Sequence, residues 1–489
     1  MGLDEFVKRA EMAVFVPGYL TPTKEVEKLE LGRKLRETRV CESINPVFFF
    51  EESYLKRVRT FALWEDRVEV YYELDGKPRK FDVPVSIQLS VLDVEEKKSD
   101  EQSQEKEHSP VPVAFSILVQ DAPTSIDDLI AIPFFLAWRN GCGEGDSPNP
   151  FIERLRSKVE ELLEAELTIS ERGRFFIAAL EVDWKSVENE FGRDASIHRL
   201  VTSCSQELYG LAVTDEGYRA VKPEHARKKI EEWGHGNRRY FEQIVSPTSL
   251  ILIKADRDRV DFEKMTLPKC RVWSEYVLAH KRESRILCHH GAFYQGQYIA
   301  LTFSTIEMLG ELVKKTVKRV KREKGPLKER DIEDILNEIE SLRVKLESYL
   351  RLLSPKKVSK LGGITLLMER MYEARGLSTF SRELEEAIDM LAEIMKEGQE
   401  IIEKRLEKEK FHHLEIGITI LEALPISYVG QWLLQAVNIH VPTPLVVGVT
   451  APLLLGSWWA YKARKVSKWE NEQTSNFVKM AEKILDSVF

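Results

Sequence analysis

The sequence has little cysteine, little net charge and none of the common catalytic signatures. Its five cysteines are scattered and odd in number, which indicates a reduced compartment and argues against a disulfide framework. The net charge of −8 is mixed in sign and gives no chain-wide basic field, so we expect no direct binding to nucleic acid. A nucleophile elbow, a phosphate loop, a paired Cys-x-x-Cys and a zincin motif are all missing. The sequence therefore predicts a protein that is not an enzyme.

One stretch lacks charged residues altogether. From Ala423 to Tyr461 there is no Lys, Arg, Asp or Glu, and this is long enough for two membrane crossings of about 20 residues each. We predict two transmembrane helices, 414–437 and 442–461, joined by a tight turn. Basic residues lie outside both helices but not in the turn, so the positive-inside rule predicts an inner (plasma) membrane protein with both termini cytoplasmic. The alternative is a buried helical hairpin in a soluble domain, because Gln431 and Gln435 make the stretch only moderately apolar.

The first 300 residues mix strands with helices. Val68–Leu74 and Lys80–Leu92 flank Asp75-Gly76, a strong hairpin signal, and Val111–Val119 predicts a third strand of an antiparallel meander. Further strands are predicted at 174–184 and 249–255, with 95–110 as an exposed loop. Their irregular order favours an α+β cytoplasmic domain over repeated βαβ units.

Residues 301–413 are predicted to form a helical stalk, and residues 462–489 a basic, amphipathic cytoplasmic tail. Apolar residues in steps of three and four predict a coiled-coil seam that a helical partner must cover: Ile332, Ile335, Ile339, Leu342, Leu346, Tyr349 and Leu353. A preceding basic run has two interpretations, a solvated face or contacts to an anionic ligand or lipid head groups. Its residues are Lys314, Lys315, Lys318, Arg319 and Arg322.

Polar residues of the first predicted transmembrane helix fall in one narrow arc. At about 100° per residue, this arc contains Ser427, Gln431, Gln435 and Asn438. Several copies around a symmetry axis would line a hydrated pore with amide and hydroxyl groups. The alternative is that these side chains hydrogen-bond to the second helix as packing contacts.

This layout resembles the CorA family of divalent-cation channels. The resemblance covers about the last 190 residues, and at the family's Gly-Met-Asn signature this chain reads Ala436-Val437-Asn438. It implies a homopentamer in the lipid bilayer, with Mg²⁺ or another divalent cation as the transported ion and no other cofactor. Lys462, Arg464, Lys465 and Lys468 resemble the family's basic collar near the inner mouth. Divergent relatives encoded beside CRISPR systems are similar in lacking a faithful signature, which implies gating by a small nucleotide ligand at the large N-terminal domain.

The sequence thus predicts an α+β cytoplasmic domain, a long coiled-coil-like stalk and a two-helix C-terminal transmembrane hairpin. The leading functional hypothesis is a homo-oligomeric, ligand-gated cation channel. The second is a membrane-anchored, non-conducting sensor of a nucleotide-type messenger or protein partner. The third is a membrane-anchored enzyme.

Overall fold

The fold was analysed in a computed structural model. It describes residues 2–22, 34–74, 77–93, 110–138, 149–215, 217–235, 240–256, 282–322, 329–359 and 361–386, with isolated positions between 389 and 404.

A ten-stranded mixed sheet organises the described residues. The strands are β1 (Val7–Pro22), β2 (Arg36–Glu37), β3 (Val58–Leu74), β4 (Lys77–Leu92), β5 (Val111–Ala122), β6 (Ala165–Ile169), β7 (Phe175–Val182), β8 (Gly234–His235), β9 (Phe241–Val245) and β10 (Ser249–Ala255). Their order is β2-β3-β4-β5-β1-β7-β10-β9-β8, and β6 pairs with the end of β1. Within the described part of the chain, β7 and β10 form the one parallel pair.

Strand composition explains where the sheet is buried. Every residue of β10 is buried, and so is every residue of β7 except Glu181. Such continuous apolar runs are typical of strands covered on both faces. The central strands therefore form the middle layer of the domain.

Eleven α-helices accompany these strands in the described ranges, besides the helical residues 377–386. They are α1 (Glu52–Leu55), α2 (Ile126–Pro133), α3 (Pro150–Leu163), α4 (Trp184–Phe191), α5 (Ile197–Ser203), α6 (Ser205–Val213), α7 (Pro223–Trp233), α8 (Ala292–Arg322), α9 (Glu329–Leu352), α10 (Pro355–Val358) and α11 (Gly362–Ala374). Side chains of α2 to α7 share one hydrophobic core with Met12, Val14 and Val16 of β1. The chain passes from β7 through α4 to α7 before it reaches β9 and β10.

Helix α8 covers the opposite face of the sheet. The ring of Phe15 on β1 lies 5.6 Å from that of Phe293, and a Cβ on Gly296 would come within 2.7 Å of Phe15 and Ile177. Only glycine permits this close approach of helix to sheet. Ser304 of α8 donates a hydrogen bond to a main-chain carbonyl of β5, so the first part of α8 is fixed to the central strands.

Several strand predictions are confirmed. The predicted strands 68–74 and 80–92 pair as the antiparallel ladder of β3 and β4, and β5 extends it through β4. The predicted strand 249–255 has the bounds of β10. The turn Asp75-Gly76 and the loop at 95–109 lie outside the described residues.

The chain divides into two compact units. The first consists of Met1–Leu309 and Ser348–Ser381. The described parts of the second are 310–322, 329–347 and the positions from 382 to 404. Within the second unit, Ile339, Leu342 and Leu346 of the predicted seam are buried, so this part of the seam is covered inside the chain.

The predicted fold class is wrong in its membrane part. The described residues form a mixed sheet with helices, and none of their helices combines the length and the apolar character needed to span a bilayer. Helix α9 carries charged residues every few positions, and α8 does so from Glu307 onward, whereas residues 292–306 of α8 are all buried. The predicted spans 414–437 and 442–461 and the tail 462–489 lie outside the described residues.

Candidate functional site

A row of charges crosses the sheet near the carboxyl ends of the two parallel strands. Arg9 of β1 is paired in register with Glu181 of β7, and Glu181 is paired with Lys254 of β10. Residues paired across strands share a face of the sheet. The register alone therefore places a cation, an anion and a second cation side by side.

Residues 282–291, which we call the cover segment, contact this row. The Nζ of Lys254 lies 3.0 Å from Nδ1 of His289 and 3.7 Å from Oε1 of Glu181. Lys254 and His289 are both buried. Because an ammonium group has only donors, Nδ1 of His289 accepts this hydrogen bond. The ring hydrogen then lies on Nε2, which is 3.4 Å from the main-chain carbonyl of Glu283, so this geometry fits a neutral imidazole.

Glu11 connects β1 to the same segment. Its Oε2 accepts a hydrogen bond of 3.1 Å from the main-chain N–H of Leu287, and its Oε1 is paired with Arg9. Arg9 also donates from Nη1 to the carbonyl of Ser284 at 2.8 Å. Burial raises the pKa of the Glu11 carboxyl above its ordinary value, whereas the Leu287 N–H and the charge of Arg9 oppose the shift. The cover segment is thus held by charged groups that sit on the sheet.

A disulfide between Cys41 and Cys288 joins the cover segment to residues 34–50. Both residues are at most 1% exposed, and 247 positions separate them along the chain. Two further bonds run alongside: the Ser43 N–H donates to Glu283 at 2.8 Å, and the Tyr294 hydroxyl donates to the Ile44 carbonyl at 3.2 Å. The five scattered cysteines argued against a disulfide framework, so this single bond was not expected from the sequence.

The three residues Cys288-His289-His290 point to three different partners. Cys288 bonds to Cys41, His289 contacts Lys254, and the His290 ring stacks on Phe241 at 4.0 Å. His290 has a φ of 53°, a left-handed conformation that is uncommon for a residue with a side chain. Within the described residues no His, Cys, Asp and Glu cluster is arranged to hold a metal ion.

The sequence-predicted site residues lie elsewhere. The pore arc (Ser427, Gln431, Gln435, Asn438) and the basic collar (Lys462, Arg464, Lys465, Lys468) lie outside the described residues. Of the basic run, Lys314 pairs with Glu311 at 2.7 Å and Lys315 is exposed. Lys318, Arg319 and Arg322 belong to α8, but their side chains are outside the described part. The anion-contact prediction for this run stays a prediction.

Sequence reasoning missed the charged row and its cover. Strand β10 was predicted correctly, yet Lys254 stands in it as a lone cation after Leu252 and Ile253. That single charge in a buried strand was a usable signal, because a buried lysine requires a partner. No local pattern connects Cys41 with Cys288. Comparisons with protein families, with curated proteins and with solved structures found no match to this chain.

Chemically, the arrangement is a closed network whose members neutralise one another. The cations Arg9 and Lys254 contact the anions Glu11 and Glu181, and the neutral ring of His289 lies beside Lys254. Two changes would weaken this network: cleavage of the disulfide, which removes a covalent link, and protonation of His289, which places a second positive charge beside Lys254. Both changes would act on the cover segment rather than on the sheet.

Proposed function

We propose that this chain is a redox-responsive sensor protein, in which the Cys41–Cys288 disulfide latches the cover segment over the charged row. The observation that carries the proposal is the position of Cys288, directly before His289, the residue that contacts Lys254. The proposal keeps the sensor class of the second sequence-based hypothesis. Ion conduction by this chain stays an untested prediction and is no part of it.

The chemistry of the latch is thiol–disulfide exchange. A thiolate of a dithiol reductant attacks one sulfur of the disulfide, and the second thiolate of that reductant resolves the mixed disulfide. Two electrons pass to the protein, two cysteine thiols form, and the reductant becomes a disulfide. Because both sulfurs are enclosed, we expect exchange to be slow compared with an exposed disulfide.

Besides the disulfide and the buried side chains of Ile286 and Leu287, polar contacts hold the cover segment on the sheet. His289, Leu287 and Ser284 are held by hydrogen bonds to Lys254, Glu11 and Arg9, and water can replace each of these once the segment moves. Opening exposes Lys254 and Glu181 as a charged surface for a partner.

Hydrogen exchange of the full-length protein tests this proposal. Oxidised protein is compared with protein equilibrated with dithiothreitol, and the Cys288→Ser variant serves as a permanently open form. We expect peptides from 282–291 to lose their protection on reduction, while peptides from β7 and β10 stay protected, although they too exchange faster because the whole fold is less stable without the disulfide. Cys204→Ser removes a buried free thiol and is the matched control, which should respond to reductant as the parent does.

Two results would overturn the latch. Unchanged exchange in 282–291 after complete reduction would show that the disulfide does not hold the segment. Loss of protection throughout the first unit would show that the disulfide maintains the whole fold rather than a local cover.

A further inference from the structure

Arginines collect at the amino end of β7, opposite to the charged row. Arg172 and Arg174 flank Gly173, which has a φ of 74° and would place a Cβ within 2.5 Å of the Phe303 ring. Only glycine fits there, so the turn between β6 and β7 is fixed against α8. The turn therefore holds both arginines at a defined position.

Arg174 donates its hydrogen bonds to main-chain carbonyls. Arg174 donates from Nε to the Ser170 carbonyl at 2.7 Å and from Nη1 to the Ala137 carbonyl at 2.6 Å. Burial lowers the pKa of this guanidinium, and the charges of Glu171 and Glu307 partly oppose that shift. Its donors are thus directed at carbonyl oxygens.

A second guanidinium, Arg375, reaches the same strand from the end of α11. Its central carbon lies 4.5 Å from the centre of the Phe175 ring, and Nη1 donates to the Met371 carbonyl at 3.3 Å. The two other nitrogens, Nε and Nη2, are enclosed and have no hydrogen-bond partner among the residues that the structure describes. Burial lowers the pKa of Arg375 to about 9, so the group is still a cation at neutral pH.

A purely structural role accounts for only part of this geometry. A cation at a helix C-terminus is stabilised by the helix dipole and by the last carbonyls, and the Phe175 face adds a cation–π contact. These contacts use Nη1 and the flat face of the guanidinium. They leave two charged donors without an acceptor in the described part of the chain, which is costly.

The two unpaired donors lie on one edge of the guanidinium. Nε and Nη2 point in parallel and together form the fork that binds two oxygens of a carboxylate or phosphate. We propose that this edge of Arg375 is a binding site for a small oxyanion, a phosphate or carboxylate group, independent of the redox latch. Arg172, whose guanidinium lies 5.9 Å from the Phe380 ring, and Arg174 add positive charge nearby.

Entry to the site requires movement, because both nitrogens are enclosed. The chain turns at Gly376, which has a φ of 69°, and leads to the half-buried Phe380. We expect Phe380 and this turn to move when the anion binds. Association should therefore be slower than for an open surface site.

Anion titration of the oxidised full-length protein tests the site. Inorganic phosphate and acetate are titrated separately at constant ionic strength against chloride, with melting temperature and isothermal titration calorimetry as readouts. We expect at least one of them to raise Tm by a few degrees at about a hundred times its Kd. Arg375→Lys keeps the charge but loses the fork, so its Kd should rise at least tenfold, and Arg375→Met should abolish binding.

A matched control separates the site from general charge effects. Arg227→Met removes an exposed arginine that pairs with Glu231 and should bind as the parent does. Arg375→Lys with an unchanged Kd would overturn the proposal, and so would a parent protein that binds neither anion. Circular dichroism of each variant confirms that the fold is retained before affinities are compared.

Discussion

Buried charges at the two ends of strand β7 differ in how many partners the described residues supply. At the carboxyl end, Glu181 lies between cations, and Lys254 has both a carboxylate and an imidazole within 3.7 Å. At the amino end, about 20 Å away at about 3.3 Å per residue, Arg375 contacts a carbonyl and an aromatic face, and no carboxylate of the described residues pairs with it.

At the carboxyl end, the closed end, every charge has a partner in the protein, whereas the amino end has hydrogen-bond donors that no described residue uses. A buried charge whose partners are all supplied by the protein is part of the folded structure, and losing one partner is strongly destabilising. A buried charge with unused donors has capacity left for something else. The first end therefore suits a latch, and the second suits a ligand. The following predictions test that contrast, beginning with the largest effect.

The disulfide should contribute the most to stability at the closed end. Replacing Cys41 and Cys288 together by alanine should lower the free energy of unfolding by about 5 kcal/mol, because the bond closes a very long loop in the unfolded chain. Urea unfolding of the oxidised parent and of the double variant measures this. Cys204→Ala, which removes one buried thiol without a cross-link, should cost about 1 to 2 kcal/mol. Equal losses in the two variants would contradict the prediction.

Removing one cation from each end of β7 should change the free energy of unfolding by different amounts. Lys254→Met should cost about 3 kcal/mol, since it leaves Glu181 half-desolvated without its partner. Arg375→Met should change stability by less than about 1 kcal/mol without added anion, because the loss of its contacts is offset by relief of an unsatisfied buried charge. Urea unfolding in an anion-poor buffer gives both values. A larger loss for Arg375→Met than for Lys254→Met would reverse the assignment of the two ends.

The smallest effect concerns the pH dependence of the closed end. Burial raises the pKa of Glu11 above its ordinary value of 4.5. Between 4.5 and the raised pKa, the folded state therefore binds more protons than the unfolded state. The Glu11 contribution to stability is therefore lost as the pH rises through that window. The free energy of unfolding should fall less between pH 4 and neutrality in Glu11→Gln than in the parent protein.

Unfolding series at several pH values in the parent and the variant isolate this effect. Asp4 and Glu207, whose pKa values burial also raises, are present in both proteins and cancel in the difference. Identical pH profiles would show that the Glu11 carboxyl does not titrate differently in the folded state.

Local sequence pattern predicted the strands well and the site poorly. The ladder of β3 and β4 follows from alternation and a turn signal, and β10 follows from a short apolar run bounded by polar residues. The seam at Ile339 and Leu346 follows from helical spacing. The charged row required knowledge of strand order, because Arg9, Glu181 and Lys254 are neighbours only through the register of three strands.

The membrane prediction shows the limit of composition. One long uncharged stretch with flanking lysines is a pattern that two different environments can satisfy, lipid or the interior of a protein. None of the helices in the described residues could span a bilayer. Length and hydropathy specify that a segment is buried, but not what buries it.

By itself the sequence determined which segments become strands and helices, since side-chain periodicity and turn chemistry act over a few residues. Only the tertiary structure decided that Cys41 meets Cys288, that Lys254 meets His289, and that one edge of Arg375 is left without an acceptor. The physical reason is distance along the chain. Contacts between residues tens to hundreds of positions apart depend on strand order and packing, which no local pattern encodes.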